Sequence, residues 1–316
     1  MAPREMAMDA MAVSTREGRT QGPAWPVHDP ARMARDFLFW RHLRVLRARS
    51  MRHLHRLADV MAGDRERAVR RTAYGVAMEE NWSDRTYAYC HYGTYGTYLA
   101  DLIGALDQPF LFLDIGANQG LFSLIAARNP ACEGIVALEP VPDTHARLTR
   151  NLALGCAPGH AQALNFGLSD CDGTRQIATC TAHSGVATLE HHRPSGGPGI
   201  ASIAVEMRTM ASLATHLPGN LPIFVKIDVE GHEATVIAQL LGSPLAGRVI
   251  GIFFEHDCRW SDGAAIAATL AQAGFAIVRH YGLGRHFDAL ALPLEPVAAS
   301  APQAGQGQLQ RFREHA

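Results

Sequence analysis

The chain has 316 residues, of which 47% are hydrophobic and 19% are charged, and its net charge is −1 at neutral pH. This length allows one large domain or one domain with an added segment, and the composition excludes a disordered or collagen-like protein. The near-zero charge excludes a protein that binds nucleic acid through its overall charge. Six scattered cysteines without a zinc-type spacing, no signal-peptide pattern and no apolar run of roughly 20 residues predict a cytoplasmic protein without a transmembrane segment.

The N-terminal part of the sequence predicts two segments ahead of the main domain. Residues 1–30 show no periodicity and predict a disordered leader. Residues 31–84 predict an Arg-rich helical segment, with apolar residues at helical spacing over 31–62 and a weaker helical pattern over 64–80. Twelve arginines against four acidic residues in 31–71 place any peripheral contact with a membrane or a polyanion here. A solvated face over an apolar stripe that docks on the main domain is the favoured interpretation.

Residues 85–292 predict the main domain, because short apolar runs alternate with helical patterns. The predicted strands are residues 110–115, 134–139, 161–168, 223–228, 249–255 and 275–281. The predicted helices are residues 99–106, 120–128, 142–154, 232–241 and 263–273. Buried strands separated by helices are typical of an α/β fold with a doubly wound, mostly parallel, Rossmann-like sheet.

Three stretches fall outside this alternation. The insert 170–210 contains Asp-Gly and Gly-Gly-Pro-Gly and predicts a hairpin and a loop over the substrate, with a short strand at 205–210. Residues 87–98 hold five of the chain's seven tyrosines, which suit either packing of an amphipathic helix or a cover over a ligand cleft. Residues 293–316 predict a disordered tail.

The most informative motif is Asp114-Ile-Gly-Ala-Asn-Gln-Gly120, in which an apolar strand ends in an acid and Gly116 and Gly120 form a loop that opens a helix. Glycines let such a backbone turn sharply and approach a ligand closely. Asn118 stands where a dinucleotide motif has its middle glycine, and an acid ahead of the loop would repel a pyrophosphate. Glu139 ends the next strand, where a carboxylate can accept both hydroxyls of a ribose. This pattern favours S-adenosylmethionine (SAM), which has an ammonium, a sulfonium and a ribose but no phosphate.

These motifs and the block Lys226-Ile-Asp-Val-Glu-Gly-His-Glu233 resemble the FkbM-type family of SAM-dependent methyltransferases. The resemblance covers about residues 85–290 and implies a class I methyltransferase fold and O-methylation of a hydroxyl, often on a sugar or polyketide. It places Asp114, Gly116 and Asn118 near the methionine part of SAM, and Glu139 on the ribose. It also places Ser169 and Asp170, from the family's third-strand motif, near the adenine. One departure is Met210-Ala-Ser-Leu213, where relatives often have Leu-Asp-Asp.

The predicted catalytic residues are Asp228, Glu230 and His232, which follow one strand at the ligand edge of the sheet. A neutral hydroxyl is a weak nucleophile, so a general base should help, and the ordinary pKa of histidine suits that role. Asp228 can serve as base, substrate anchor or metal ligand, and Glu255 is a further candidate base. An Asp and a Glu two residues apart are too few ligands to predict a metal site.

The sequence therefore predicts a SAM-dependent methyltransferase that acts on a hydroxyl of a small molecule or glycan, without a nucleic-acid partner. One alternative is a non-catalytic adaptor of the same fold that binds its partner through the Arg-rich N-terminal helix. A second is a nicotinamide-dependent oxidoreductase, for which the G-x-G-x-x-G motif is missing.

Overall fold

A computed structural model describes residues 68–180, 182–187, 200–281 and 286–294, together with Leu46 and Leu54. The predicted leader, nearly all of the predicted helix 31–62 and nearly all of the tail lie outside the described residues. Leu46 and Leu54 are helical and exposed. No helix within the described ranges combines the length and the apolar character needed to cross a membrane.

The described residues contain twelve strands, and seven of them form one sheet. In chain order, the strands are β1 (Val69–Arg71), β2 (Ala77–Glu79), β3 (Phe110–Ile115), β4 (Cys132–Leu138), β5 (Ala161–Leu164), β6 (Gly167–Leu168), β7 (Gly173–Cys180), β8 (Ile200–Arg208), β9 (Ile223–Ile227), β10 (Val249–Asp257), β11 (Phe275–Tyr281) and β12 (His286–Pro293). The sheet order is β11-β12-β10-β9-β3-β4-β5, and its strands from β10 to β5 run parallel. β12 pairs antiparallel with both β10 and β11. The predicted α/β, Rossmann-like, mostly parallel sheet is confirmed.

Helices pack on both faces of this sheet. They are α1 (Arg85–Tyr92), α2 (Thr97–Ala105), α3 (Leu121–Ala126), α4 (Pro142–Gly155), α5 (Met210–Ala214), α6 (Glu233–Leu241) and α7 (Gly263–Gln272). One core cluster joins α1 to α4 with Phe112 and Phe224, and the other joins α5 to α7 with Leu113 and Val225. Because strand side chains alternate between faces, neighbouring residues of β3 supply the two separate cores.

The structure corrects the helix predicted over 64–80. Its described part is a hairpin of β1 and β2, turned at Gly75, which has a φ of +77°. Met78 is fully buried in the core beside α1 to α4, and the Glu79 N–H donates to Asn151 Oδ1 of α4 at 2.8 Å. The hairpin thus packs against the same core as α1 to α4.

Two further differences concern strands. The predicted strand 161–168 is divided at Asn165, whose side-chain amide donates to the carbonyl oxygens of Glu139 at 2.8 Å and Pro140 at 3.1 Å. Beyond it, β6 joins β7 and β8 in a second, three-stranded sheet. β12 was not predicted, although it lies at the centre of an antiparallel triple. The predicted hairpin in the insert is confirmed as the antiparallel pair β7 and β8.

Candidate active site

A cavity of about 350 Å³ opens at the carboxyl ends of the parallel strands, where ligands bind in doubly wound sheets. Six predicted site residues line it, and they come from three separate strand ends. These six are Gly116, Asn118, Glu139, Asp228, Glu230 and His232. The other four, Asp114, Gly120, Ser169 and Asp170, do not line it.

The glycine loop is tightly constrained. Gly116 has a φ of +78°, and a Cβ atom there would lie less than 3.0 Å from the backbone carbonyl oxygen of Asp228. Gly120 has a φ of +90°, and its Cβ would lie 2.7 Å from a methyl of Leu148. Gly120 therefore serves the packing of α3 on α4, whereas Gly116 lets the loop after β3 approach the loop after β9 beside the cavity.

Glu139 is held in place by the backbone. Its Oε2 accepts a hydrogen bond from the Asn118 N–H at 2.9 Å, and its Oε1 accepts one from the Val141 N–H at 3.0 Å. Burial raises the pKa of Glu139 to about 7, against the lowering effect of these two hydrogen bonds. Each carboxylate oxygen keeps a lone pair, so the group can also accept hydrogen bonds from a ligand's hydroxyls.

Asp114 lies behind the loop, and its carboxylate is fully buried. It accepts a hydrogen bond from Ser123 Oγ at 2.7 Å and lies 3.3 Å from Lys226 Nζ. Lys226 in turn donates to the Gly116 carbonyl oxygen at 2.6 Å. The Asp114 carboxylate thus contacts Lys226 and stabilises the loop. Any effect of Asp114 on a ligand's ammonium is therefore indirect.

Ser169 and Asp170 lie next to the cavity lining without being part of it. Ser169 is buried, its N–H donates to the Arg208 carbonyl oxygen of β8, and Asp170 is exposed. At this end the lining is apolar and consists of Phe166, Leu168, Ile177 and Met207. The chain leaves the main sheet at Asn165, so the second sheet positions Ser169 and Asp170, and their contact with an adenine stays a prediction.

Asp228 is the centre of a polar cluster. Its Oδ2 accepts a hydrogen bond from the Tyr95 hydroxyl at 2.6 Å and lies 3.4 Å from Lys226 Nζ. Burial alone would raise the pKa of Asp228, but Lys226, Glu255 and Tyr95 hold it below its ordinary value. Burial and the Asp228 carboxylate raise the pKa of Glu255 well above its usual range. The charged form is therefore favoured at Asp228 and disfavoured at Glu255.

Glu230, His232 and Glu233 all line the cavity, and Glu233 also supports the loop. Glu230 adopts a left-handed φ of +52° at the cavity wall, and carboxylate oxygens of Asp228, Glu230 and Glu255 lie within 4.8 Å of one another. His232 begins α6 and its Nε2 lies 3.3 Å from Ser169 Oγ. Glu233 accepts hydrogen bonds from the Gly231 N–H at 3.0 Å and the Ser261 hydroxyl at 2.6 Å, so it supports the loop.

Residues distant in sequence form a cover over the glycine loop. Asp84 caps α1, and its carboxylate accepts hydrogen bonds from the Ser184 N–H at 3.1 Å and from Gln119 Nε2 at 2.6 Å. The Ser184 hydroxyl donates to Asn118 Oδ1 at 3.0 Å. The described part of the insert thus lies against the cavity, as does Tyr89 of the tyrosine segment. Asp84 and Gln119 carried no signal in the sequence, because their partners are about 35 to 100 residues away.

Comparison with known proteins identifies the family. The model of the Methyltransferase FkbM domain matches residues 114–277. Methyltransferase sdnD of Sordaria araneosa is 32% identical over 162 residues, which cover 43% of this chain and 62% of that protein. Hexuronic acid methyltransferase AglP of Haloferax volcanii is 29% identical over 136 residues, which cover 43% and 52%. The chain thus spans between about half and three fifths of the length of these relatives.

Solved structures are also similar. The ribosomal protein L11 methylase from Lactobacillus delbrueckii subsp. bulgaricus has a TM-score of 0.37 and 15% identity, over 63% of this chain and 79% of that one. TrmK of M. capricolum, solved with S-adenosyl-homocysteine, has a TM-score of 0.37 and 10% identity, over 66% and 73%. The family model covers more than half of this chain, so the chain belongs to the FkbM methyltransferase family.

Proposed function

We propose that the protein is a SAM-dependent methyltransferase that O-methylates a hydroxyl of a small molecule or glycan. The observation that carries this proposal is one cavity in which the Gly116 loop faces Glu139 at one end and Asp228 at the other. Family membership favours methyl transfer over a nicotinamide-dependent reaction. The names of the relatives, a methyltransferase and a hexuronic acid methyltransferase, support a small-molecule or sugar acceptor.

The residues present fit SAM. Glu139 offers a carboxylate whose two oxygens are fixed by the Asn118 and Val141 N–H groups, which suits the two hydroxyls of a ribose. Phe166 and Met207 offer apolar surface to an adenine, and Gly116 lets the backbone approach the methionine part. The cavity volume is within the roughly 300–1,000 Å³ of ligand pockets. When bound, SAM supplies an electrophilic methyl group.

The chain's own contribution is to position the acceptor and remove its proton. Lys226 and Tyr95 lower the pKa of Asp228 and fix its carboxylate, so it can accept a hydrogen bond from the acceptor hydroxyl and set its direction. A ring nitrogen of His232 accepts the proton, since His232 lines the cavity and a neutral imidazole is a competent base. Glu230 completes the wall beside them. Positioning of this kind can lower the barrier by several kcal/mol.

Calorimetric titration with SAM tests the cofactor assignment. Glu139→Gln should weaken binding by tenfold or more, about 1.4 kcal/mol, because the ribose loses its carboxylate partner. With a pKa of about 7, ionisation of Glu139 should strengthen SAM binding by roughly tenfold between pH 6 and pH 8 in the wild type. The Gln variant should lose that dependence.

Glu133→Gln is the matched control, because Glu133 lies on the same strand, β4, and is exposed at its opposite end. It should bind SAM as the wild type does. Equal SAM affinity in Glu139→Gln and Glu133→Gln would remove Glu139 from the binding site.

A transfer assay with methyl-labelled SAM tests the catalytic assignment. His232→Ala should lower kcat by at least about tenfold with SAM affinity unchanged, because only proton removal is lost. His216→Ala is the control, since His216 lies outside the cavity beside Gln162. If turnover in His232→Ala matches this control, His232 is not the base.

A further inference from the structure

The two ends of the cavity differ in charge. The end at β3 and β4 carries the glycine loop and Glu139, which the proposed function assigns to SAM. The end at β9, β10 and β12 is lined by five acidic side chains. These are Asp228, Glu230, Glu233, Glu255 and Asp257.

The cations at this end are already engaged by acids. Among the described residues, Lys226 and Arg259 are the only Lys or Arg side chains that line the cavity. Lys226 contacts Asp114 at 3.3 Å and Asp228 at 3.4 Å, and donates to the Gly116 carbonyl oxygen.

Arg259 is held in the same way at the outer edge of the cavity. Its Nε donates to the two carboxylate oxygens of Asp257 at 2.9 and 3.1 Å. His286 bridges two acids, with Nε2 at 2.9 Å from Glu255 Oε1 and Nδ1 at 3.5 Å from Asp257 Oδ2. An anionic ligand at this end would lie next to carboxylates, and the Lys and Arg side chains that could bind it already contact those carboxylates.

Carboxylates at this density suit a different kind of ligand. The lowered pKa values of Asp228 and Asp257 favour their ionised forms, and an ionised carboxylate is an acceptor only, so it pairs with hydroxyl or ammonium donors and repels carboxylates and phosphates. Trp260 lies beside these acids at the cavity wall and adds an aromatic surface of the kind that can pack against an apolar ring face.

We infer that the methyl acceptor is a polyhydroxylated ring without an anionic group, such as a neutral sugar or an amino sugar, held by the carboxylates at the ends of β9 and β10. This inference rests on the proposed methyl transfer and narrows it. It distinguishes the acceptor from a hexuronic acid, the compound named for the relative AglP. The charge of Glu230 then helps to determine specificity.

The test separates acceptors by charge before the reaction. A metabolite extract from the cells of origin is passed over an anion exchanger, and each fraction is incubated with the full chain and methyl-labelled SAM. The unretained fraction, which holds neutral and amino sugars, should take up at least ten times more label than the retained fraction. Greater labelling of the retained, anionic fraction would overturn the inference while leaving methyl transfer intact.

Calorimetric measurement of SAM binding in the same preparation separates a failure of the proposed function from a failure of the acceptor assignment. If SAM binds and neither fraction is labelled, or if SAM does not bind, the proposed function fails and the inference fails with it. If SAM binds, the distribution of the label between the fractions decides on the acceptor.

A charge-reversal variant gives an independent readout. Glu230→Arg should raise labelling of the anionic fraction at least fivefold over Glu230→Gln, which removes the charge and keeps the shape. Both variants keep a side chain at the left-handed position, so backbone strain is matched. Equal labelling of the anionic fraction in the two variants would contradict a role for charge at this position.

Discussion

Gly116→Ala should abolish SAM binding and lower the free energy of unfolding by at least about 3 kcal/mol. The added Cβ would lie within 3.0 Å of the Asp228 carbonyl oxygen, a backbone atom that cannot rotate away as a side chain could. The loops after β3 and β9 would have to separate, and Asp228 and the Gly116 carbonyl that binds Lys226 lie on those loops. Chemical denaturation and calorimetry with SAM measure the two effects.

Gly159→Ala is the matched control for backbone strain. Gly159 has a φ of +79°, nearly the same as Gly116, but no heavy atom lies within 4 Å of a Cβ placed there. Its substitution should therefore cost only the strain of a left-handed alanine, about 1 to 2 kcal/mol, with SAM affinity unchanged. If the two variants lose similar stability and bind SAM equally well, the close approach of the two loops is not what Gly116 provides.

The sequence predicts the parts of the site that depend on strand ends. Gly116, Glu139 and Asp228 each follow a buried parallel strand, and the carboxyl ends of such strands meet at one edge. Their position in the cavity follows from topology alone. Lys226 lies between Asp114 and Asp228, because β3 and β9 pair with Asp114 opposite Lys226.

Side-chain direction beyond a strand end is not determined by such patterns. The apolar run before Ser169 predicts a single strand, yet the Asn165 side chain redirects the chain into a second sheet. The same is true of the segment that contains Met78. Residues 64–80 have weak helical periodicity, yet contacts with α4 favour a hairpin there. In both cases, contacts with residues far along the chain outweigh local preference.

Contacts between distant segments also explain why Tyr95 was not singled out. Its hydroxyl reaches Asp228 from a residue 133 positions away, and the sequence shows only that it lies in a tyrosine-rich segment. Two interpretations of that segment, packing and cover, were open, and both apply. Tyr87 is fully buried in the core, whereas Tyr89 and Tyr95 line the cavity.

Lys226→Met should lower the free energy of unfolding by about 3 to 5 kcal/mol at neutral pH, because it leaves the Asp114 and Asp228 carboxylates buried without their cation. Burial alone would lower the pKa of Lys226, but Asp228 and Asp114 outweigh burial and hold it above its ordinary value. The stabilisation by Lys226 is therefore complete below the pKa of the unfolded lysine and is lost as the pH rises through the folded value.

The acid limb of the stability profile provides the sharper test of Lys226→Met. Since the pKa of Asp228 is lowered in the folded protein, its contribution is present above its unfolded pKa and is lost as the pH falls through the folded value. In the variant, protonation of the buried Asp228 carboxylate relieves its loss of a cation, so the stability difference from wild type should shrink between pH 7 and pH 4 in urea denaturation. Arg150→Met is the control, because Arg150 is half exposed and Glu79 keeps Arg147 as partner, so its loss should cost under about 1 kcal/mol. A Lys226→Met variant as stable as this control at pH 7 would show that the two aspartates do not depend on Lys226.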